Sequence, residues 1–186
     1  TPEGADALRK RLASFEGGSL VVHITEMPIK CPVAPLEFAF LAHDFFVQQG
    51  KRSAISITYV TPLSEAFTRP LAAQKFGQYL KERDLSLVSD FAVERIEEAE
   101  KKLVAYDGRE VPFDLLVTVP TNRGAACIRE SGLGDELGLI PTDKATLQSK
   151  AHPDIFVLGD ASDIPASKAG SSAHFQTEVI AENVRC

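Results

Sequence analysis

A cysteine sits in a proline-rich turn, Lys30-Cys31-Pro32-Val33-Ala34-Pro35, directly ahead of a strongly apolar stretch of helical length at 36–49. A helix N-terminus presents unpaired N–H groups and the positive end of the helix dipole, and Lys30 adds a cation beside the sulfur. Those are the surroundings in which thiols become reactive. The plainer alternative is an incidental cysteine in a turn. Near the other end of the chain an apolar run at 154–158 leads into Gly159-Asp160, with a helix expected from about Ser167 that carries Lys168 and Ala169. An acid at a strand end either binds a ligand hydroxyl or caps a turn, Lys168 is either a functional cation or a solvated one, and Ser167 is a natural N-cap. Cys127 and Cys186 are the other two thiols, and the four histidines (23, 43, 152, 174) are too scattered for a metal site.

The elements that must position these residues follow from apolar spacing. Residues 5–15 have helical spacing and end at Gly17-Gly18. Residues 19–25 read as a buried strand, 36–49 as a helix, 54–61 as a second strand stopped by Pro62, and 69–83 as a helix with a stripe at Leu71, Phe76 and Leu80. A short strand at 85–89 precedes two more at 91–98 and 101–105, which meet at a turn around 98–100. A turn at 106–109 then leads to a continuous apolar strand at 115–119. The order β-α-β-α-β followed by a hairpin predicts an α/β fold, Rossmann-like and three-layered, with a parallel sheet, right-handed crossovers and an attached antiparallel β-hairpin. The domain reading is a connecting helix at 1–18, a nucleotide-domain-like unit at 19–120, and a linker with a partial return into a second domain at 121–186.

In a dinucleotide-binding domain the first strand-to-helix turn carries G-x-G-x-x-G, so that the backbone can approach the pyrophosphate. Here that turn has no glycine and two prolines, and the second strand ends Val60-Thr61-Pro62 with no acid for the ribose hydroxyls. Ordinary NAD binding is therefore not expected. The 186 residues carry 20 basic and 26 acidic side chains, a formal net charge of −6, which argues against a nucleic-acid footprint. No apolar run approaches the roughly 20 residues that span a bilayer, and residues 1–17 lack the apolar core of a secretory signal. Three cysteines make no disulfide framework, which fits a reducing compartment.

Two stretches, KCPVAPLEFAF at 30–40 and HPDIFVLGDASDIPASKAGSSAHFQ at 152–176, resemble the sulfide:quinone oxidoreductase family. These belong to the two-dinucleotide-domain flavoproteins that also include type II NADH dehydrogenases. VTVPTNRG at 117–124 and GLIPTDKATLQ at 138–148 extend the likeness. The resemblance implies that Cys31 is a redox-active thiol beside the flavin, handling sulfane sulfur. It implies that Gly159 and Asp160 hold the FAD ribityl chain, and that the helix beginning near Lys168-Ala169 aims its N-terminus and the Lys168 charge at the flavin. A sulfide or sulfane-sulfur donor would supply two electrons, FAD would carry them, and a quinone would take them at a membrane surface.

The sequence departs from that pattern in two respects. The second cysteine of the family pair, expected at or just after Gly159-Asp160, is replaced by Ala161-Ser162-Asp163, which leaves Cys127, Cys186 or a thiol elsewhere as the partner. A glycine-rich FAD turn and a membrane-docking C-terminal segment are not found in these residues. An internal piece is thus implied, soluble and inactive alone without tight FAD retention, from a cytoplasmic or peripheral membrane parent. A pyridine-nucleotide-dependent relative and a non-catalytic domain derived from the fold are the alternatives.

Overall fold

The structure, a computed structural model, describes residues 2–185; Cys186, one candidate second thiol, lies outside the described residues. Two compact units form. One comprises residues up to Thr25 together with Pro35–Val119, the other Glu26–Ala34 together with the chain from Pro120 onward.

The first unit begins with α1 (Pro2–Ala13) and β1 (Gly18–Ile24), followed by α2 (Ala34–Gln48), β2 (Ile55–Val60), α3 (Pro70–Glu82) and β3 (Leu85–Val88). Three short strands follow, β4 (Val93–Glu97), β5 (Lys102–Ala105) and β6 (Glu110–Pro112), and then β7 (Leu115–Val119). The parallel sheet runs β3-β2-β1-β7 and the antiparallel sheet runs β4-β5-β6. Val21 pairs with Thr58 and Leu116, and His23 with Val60 and Thr118. The central strand β1 is buried on both faces from Leu20 to Ile24, as its unbroken apolar run requires.

The two faces of the parallel sheet are covered differently. Val21 and Val60, with Leu116 beside them, pack against Phe91, Leu103 and Ala105 of the antiparallel layer in one apolar cluster. Leu20, Val22, Ile57 and Tyr59 alternate onto the opposite face, where right-handed crossovers place α2 and α3 with their buried Leu36, Ala39, Phe46, Ala73 and Leu80. Arg109 ties the antiparallel layer down: its guanidinium lies 5.5 Å from the centre of the Phe91 ring and donates to the carbonyls of Ser89 and Asp90.

The α/β class with a parallel sheet and an antiparallel attachment is the one expected, and the attachment has one strand more. β6 is only Glu110–Pro112, too short for an alternation to register and ending in a proline. In the second unit the expected strand at 154–158 does not form. Phe156 makes a single antiparallel bridge with Gln148, because Ser149 donates to Ile155 and Val157 to Leu147 and no further pairs follow. A short helix, α4 (Ala126–Glu130), stands where no element was expected, and α5 (Gly170–Arg185) starts three residues later than expected. Ser167 is therefore not its cap, because the residue after it, Lys168, is drawn into a backbone bridge with Lys30. Among the described residues no helix is long and apolar enough to cross a membrane.

Close backbone approach fixes one glycine of the second unit. Gly124 donates its N–H to Leu137, and a Cβ at Gly124 would stand 1.7 Å from the carbonyl oxygen of Gly138. That atom is backbone and has little room to yield. Gly124→Ala is expected to destabilise the protein by about 3 kcal/mol, measured by denaturant unfolding; an unchanged midpoint would mean the two glycines do not meet.

His23 supplies a pH dependence. It is fully buried, its Nδ1 lies 2.9 Å from Thr118 Oγ1, and its ring meets Phe91 edge to face. Nε2 is buried without a hydrogen-bond partner. Burial disfavours the imidazolium and pushes the pKa from the ordinary 6.5 down to about 4. The unfolded chain therefore binds this proton from pH 6.5 downward while the folded chain refuses it until about pH 4. Stability is full above that window and falls as pH drops through it, by about 3 kcal/mol from this group. His23→Gln should flatten the slope of unfolding free energy against pH between those limits; an unaltered slope would place the titration elsewhere.

Candidate functional site

Every residue singled out at the candidate site falls in the second unit. Residues 26–34 pass through a cis peptide at Met27-Pro28 and reach Cys31, which is exposed. Cys31 adopts φ +50°, in the left-handed region that L side chains seldom occupy. Two hydrogen bonds hold it there. Its N–H donates to the carbonyl of Lys168 at 2.9 Å, and its own carbonyl accepts from Ala34 at 2.9 Å, closing the turn. Lys30 forms a parallel bridge with Lys168, and its ammonium lies 3.4 Å from Asp160 Oδ2.

Asp160 sits in a single 3-10 turn, Gly159–Ala161. Gly159 takes φ +60°, and a Cβ there would stand 3.2 Å from the Ala173 side chain, so the bare backbone is needed. The N–H of Gly159 donates to Gln176 Oε1 at 2.6 Å, and its carbonyl accepts from Ser162 Oγ at 3.0 Å. Ser162 is buried, and Ile140 pairs with it in a parallel bridge. Asp163 braces the same stretch by accepting from the N–H of Thr142 at 2.8 Å. The Gly159–Asp160 turn is thus rigid at both ends, while the Asp160 carboxylate stays half exposed with Lys30 as its salt-bridge partner.

Lys168 is half-buried, and its ammonium faces carbonyls: that of Ser162, that of Gly159 at 3.4 Å and that of Ile164 at 3.5 Å. Desolvation holds its pKa below the usual lysine range, with Asp160 and Asp163 pulling the other way and Lys30 reinforcing the fall. Ala169 lies just ahead of α5 and accepts from Ala173. A small cavity of about 150 Å³ opens beside these groups, bordered by Lys30, Asp160, Lys168, Asn122, Arg123 and Leu139.

The structure therefore gathers Lys30, Cys31, Gly159, Asp160 and Lys168 through backbone pairing, an ion pair and side-chain hydrogen bonds. Cys127, exposed on α4, is a free thiol like Cys31 and joins none of those bonds. The sequence offers Gln176 only as a final-helix residue that could approach a flavin; its clamp on Gly159 is not legible there, because it joins the turn to a helix face 17 residues further on. Nor are Asn122 and Arg123 legible as part of the cavity wall, because nothing in local sequence connects 122–123 to 30 or 160.

No protein-family model matches the chain. The chain is 26% identical over 177 residues to a mitochondrial sulfide:quinone oxidoreductase of Mus musculus, covering 92% of this chain and 39% of that protein. It is 27% identical over 187 residues to the mitochondrial sulfide:quinone oxidoreductase of Schizosaccharomyces pombe, covering 97% of this chain and 41% of that protein. Among solved structures, the sulfide:quinone oxidoreductase of the bacterium Aquifex aeolicus aligns with a TM-score of 0.70 and 19% identity, over 97% of this chain and 48% of that one. That last likeness is one of fold. The chain spans less than half the length of each of these proteins, and along that span its sequence is similar to those of the sulfide:quinone oxidoreductases.

Proposed function

We propose that this chain is the sulfur-handling part of a sulfide-oxidising flavoprotein, in which Cys31 is the reacting thiol, FAD the electron carrier and a quinone the acceptor. The observation that carries the reading is the placement of an exposed cysteine, in a strained left-handed conformation, on the backbone bridge to Lys168, whose ammonium in turn meets the Gly159 carbonyl. Strain of that kind, held by surrounding bonds, is characteristic of sites where a side chain must be presented in one direction. The likeness to sulfide:quinone oxidoreductases over nearly the whole chain supports the same assignment.

FAD fits the residues present in part. The Asp160 carboxylate is half exposed and has acceptor capacity left beyond its one ion pair, which suits a ribityl hydroxyl. The cavity of about 150 Å³ seats one end of such a group and not the whole, which needs several hundred Å³. When bound, the flavin supplies a two-electron acceptor that neither thiol nor carboxylate can replace. Cys31 presents sulfur to the incoming donor, Lys30 supplies positive charge next to an anionic sulfide or thiolate, and Asp160 orients the cofactor. The glycine-free Cys31 turn disfavours the alternative in which a pyridine nucleotide delivers hydride at this position.

The test is sulfide-dependent bleaching of the flavin absorbance near the usual visible maximum, in the full-length protein that carries this sequence. Wild type is expected to bleach with sulfide, and Cys31→Ser to slow that step on the order of 10³-fold or more. Reduction by NADH with no response to sulfide would overturn the reading.

A further inference from the structure

We infer that Lys168 is the positioning residue for Cys31: its backbone carbonyl pins the cysteine N–H while its ammonium ties the same residue to the Gly159–Ile164 stretch. Lys168 is thus anchored at both ends. Its carbonyl receives the Cys31 N–H at 2.9 Å, and its backbone pairs with Lys30. At the other end the ammonium has three N–H donors, and three carbonyls surround it, those of Ser162, Gly159 and Ile164. Bonds from a charged donor to partly buried carbonyls are worth more than neutral ones and leave unpaired acceptors behind when removed.

Two further features give the tether its purpose. Cys31 stands in a backbone region that is strained for an L residue, so it relaxes unless its N–H is held. One of the carbonyls that hold Lys168, that of Gly159, belongs to the turn that presents Asp160, and those of Ser162 and Ile164 follow it directly, so one side chain sets the thiol and the acid relative to each other within this unit. The exposed Lys30–Asp160 pair, about half exposed on each side, is too solvated to do this alone. The resemblance to the sulfide:quinone oxidoreductases implied instead that Lys168 points its charge at the flavin. With its donors turned to carbonyls, its first role is mechanical. The functional meaning of the tether rests on Cys31 being the reacting thiol; the tether itself does not.

The experiment compares wild type, Lys168→Met and Lys168→Arg in the full-length, FAD-loaded protein. Amide hydrogen exchange is followed in the peptides covering 26–34 and 159–164, together with the flavin midpoint potential and the kinetics of reduction by sulfide. Lys168→Met should speed exchange in both peptides together, by about tenfold, with the potential unchanged. The limiting rate of sulfide reduction should fall by about tenfold or more while the half-saturating sulfide concentration stays put, the pattern of a misplaced thiol. Lys168→Arg keeps the charge but has a planar fork in place of a tetrahedral ammonium, so it should still loosen both peptides. It keeps the test decisive if the methionine variant fails to fold. A shifted potential with unchanged exchange would overturn the proposal in favour of a flavin-facing charge, and exchange unaltered in both variants would overturn it outright. Either result leaves the Cys31→Ser bleaching test untouched, so failure of the tether and failure of the proposed function are separable.

Discussion

The short backbone pairing of residues 30–31 with Lys168 is the constraint on which the site depends. In an ordinary β-α-β crossover the loop leaving the first strand belongs with that strand and the next helix. Here residues 26–34 leave the parallel-sheet unit and join the chain from Pro120 onward, and the pairing with Lys168 is what claims them. The cysteine therefore takes its conformation from a residue near the far end of the sequence. Its left-handed backbone is a consequence of that bond and of the Ala34-to-Cys31 hydrogen bond that closes the turn.

Charge plays a smaller part than backbone geometry. The Lys30–Asp160 pair is exposed, and pairs of that kind contribute about 0–1 kcal/mol. Around β4 and β5, Lys102 touches Glu97, Glu100 and Glu110, a cluster at the surface of the antiparallel layer with no connection to the thiol. What holds the turn is a set of directed bonds at Gly159: its N–H donates to Gln176 Oε1, and its carbonyl accepts from Ser162 and Lys168. Such bonds keep their geometry when a neighbouring charge appears or disappears, which is what a redox site requires of its frame.

The parallel sheet was legible because its strands are rich in apolar and β-branched residues: 20–24 is buried throughout, 55–60 alternates Ile55, Ile57 and Tyr59 with Ser56 and Thr58, and 115–119 is half-buried, and all three register without tertiary knowledge. The three helices of the first unit were legible from their spacing and their flanking glycine or proline, whereas α4, only five residues long, was not. The apolar run at 154–158 misled, since apolar character fixes burial and not the presence of a partner strand, and only Gln148 pairs with it. The start of α5 was misplaced because Ser167-Lys168 has good capping chemistry locally, while a distant bridge at Lys168 overrides it. At the site, Cys31 and the Gly159-Asp160 pair stood out by residue type and spacing. Gln176 and the orientation of the Lys168 ammonium did not, because both are set by which carbonyls and N–H groups the fold leaves unpaired.

The central claim is that Cys31 carries sulfur during sulfide oxidation, and the most direct measurement is the mass of its peptide. The full-length, FAD-loaded protein is reacted with sulfide without oxygen, the thiols are blocked, and the peptides bearing Cys31 and Cys127 are weighed. The account predicts an added sulfur atom on Cys31, formed as the flavin takes two electrons, and none on Cys127. Sulfur absent from Cys31 while the flavin is fully reduced, or carried by Cys127 instead, would contradict it.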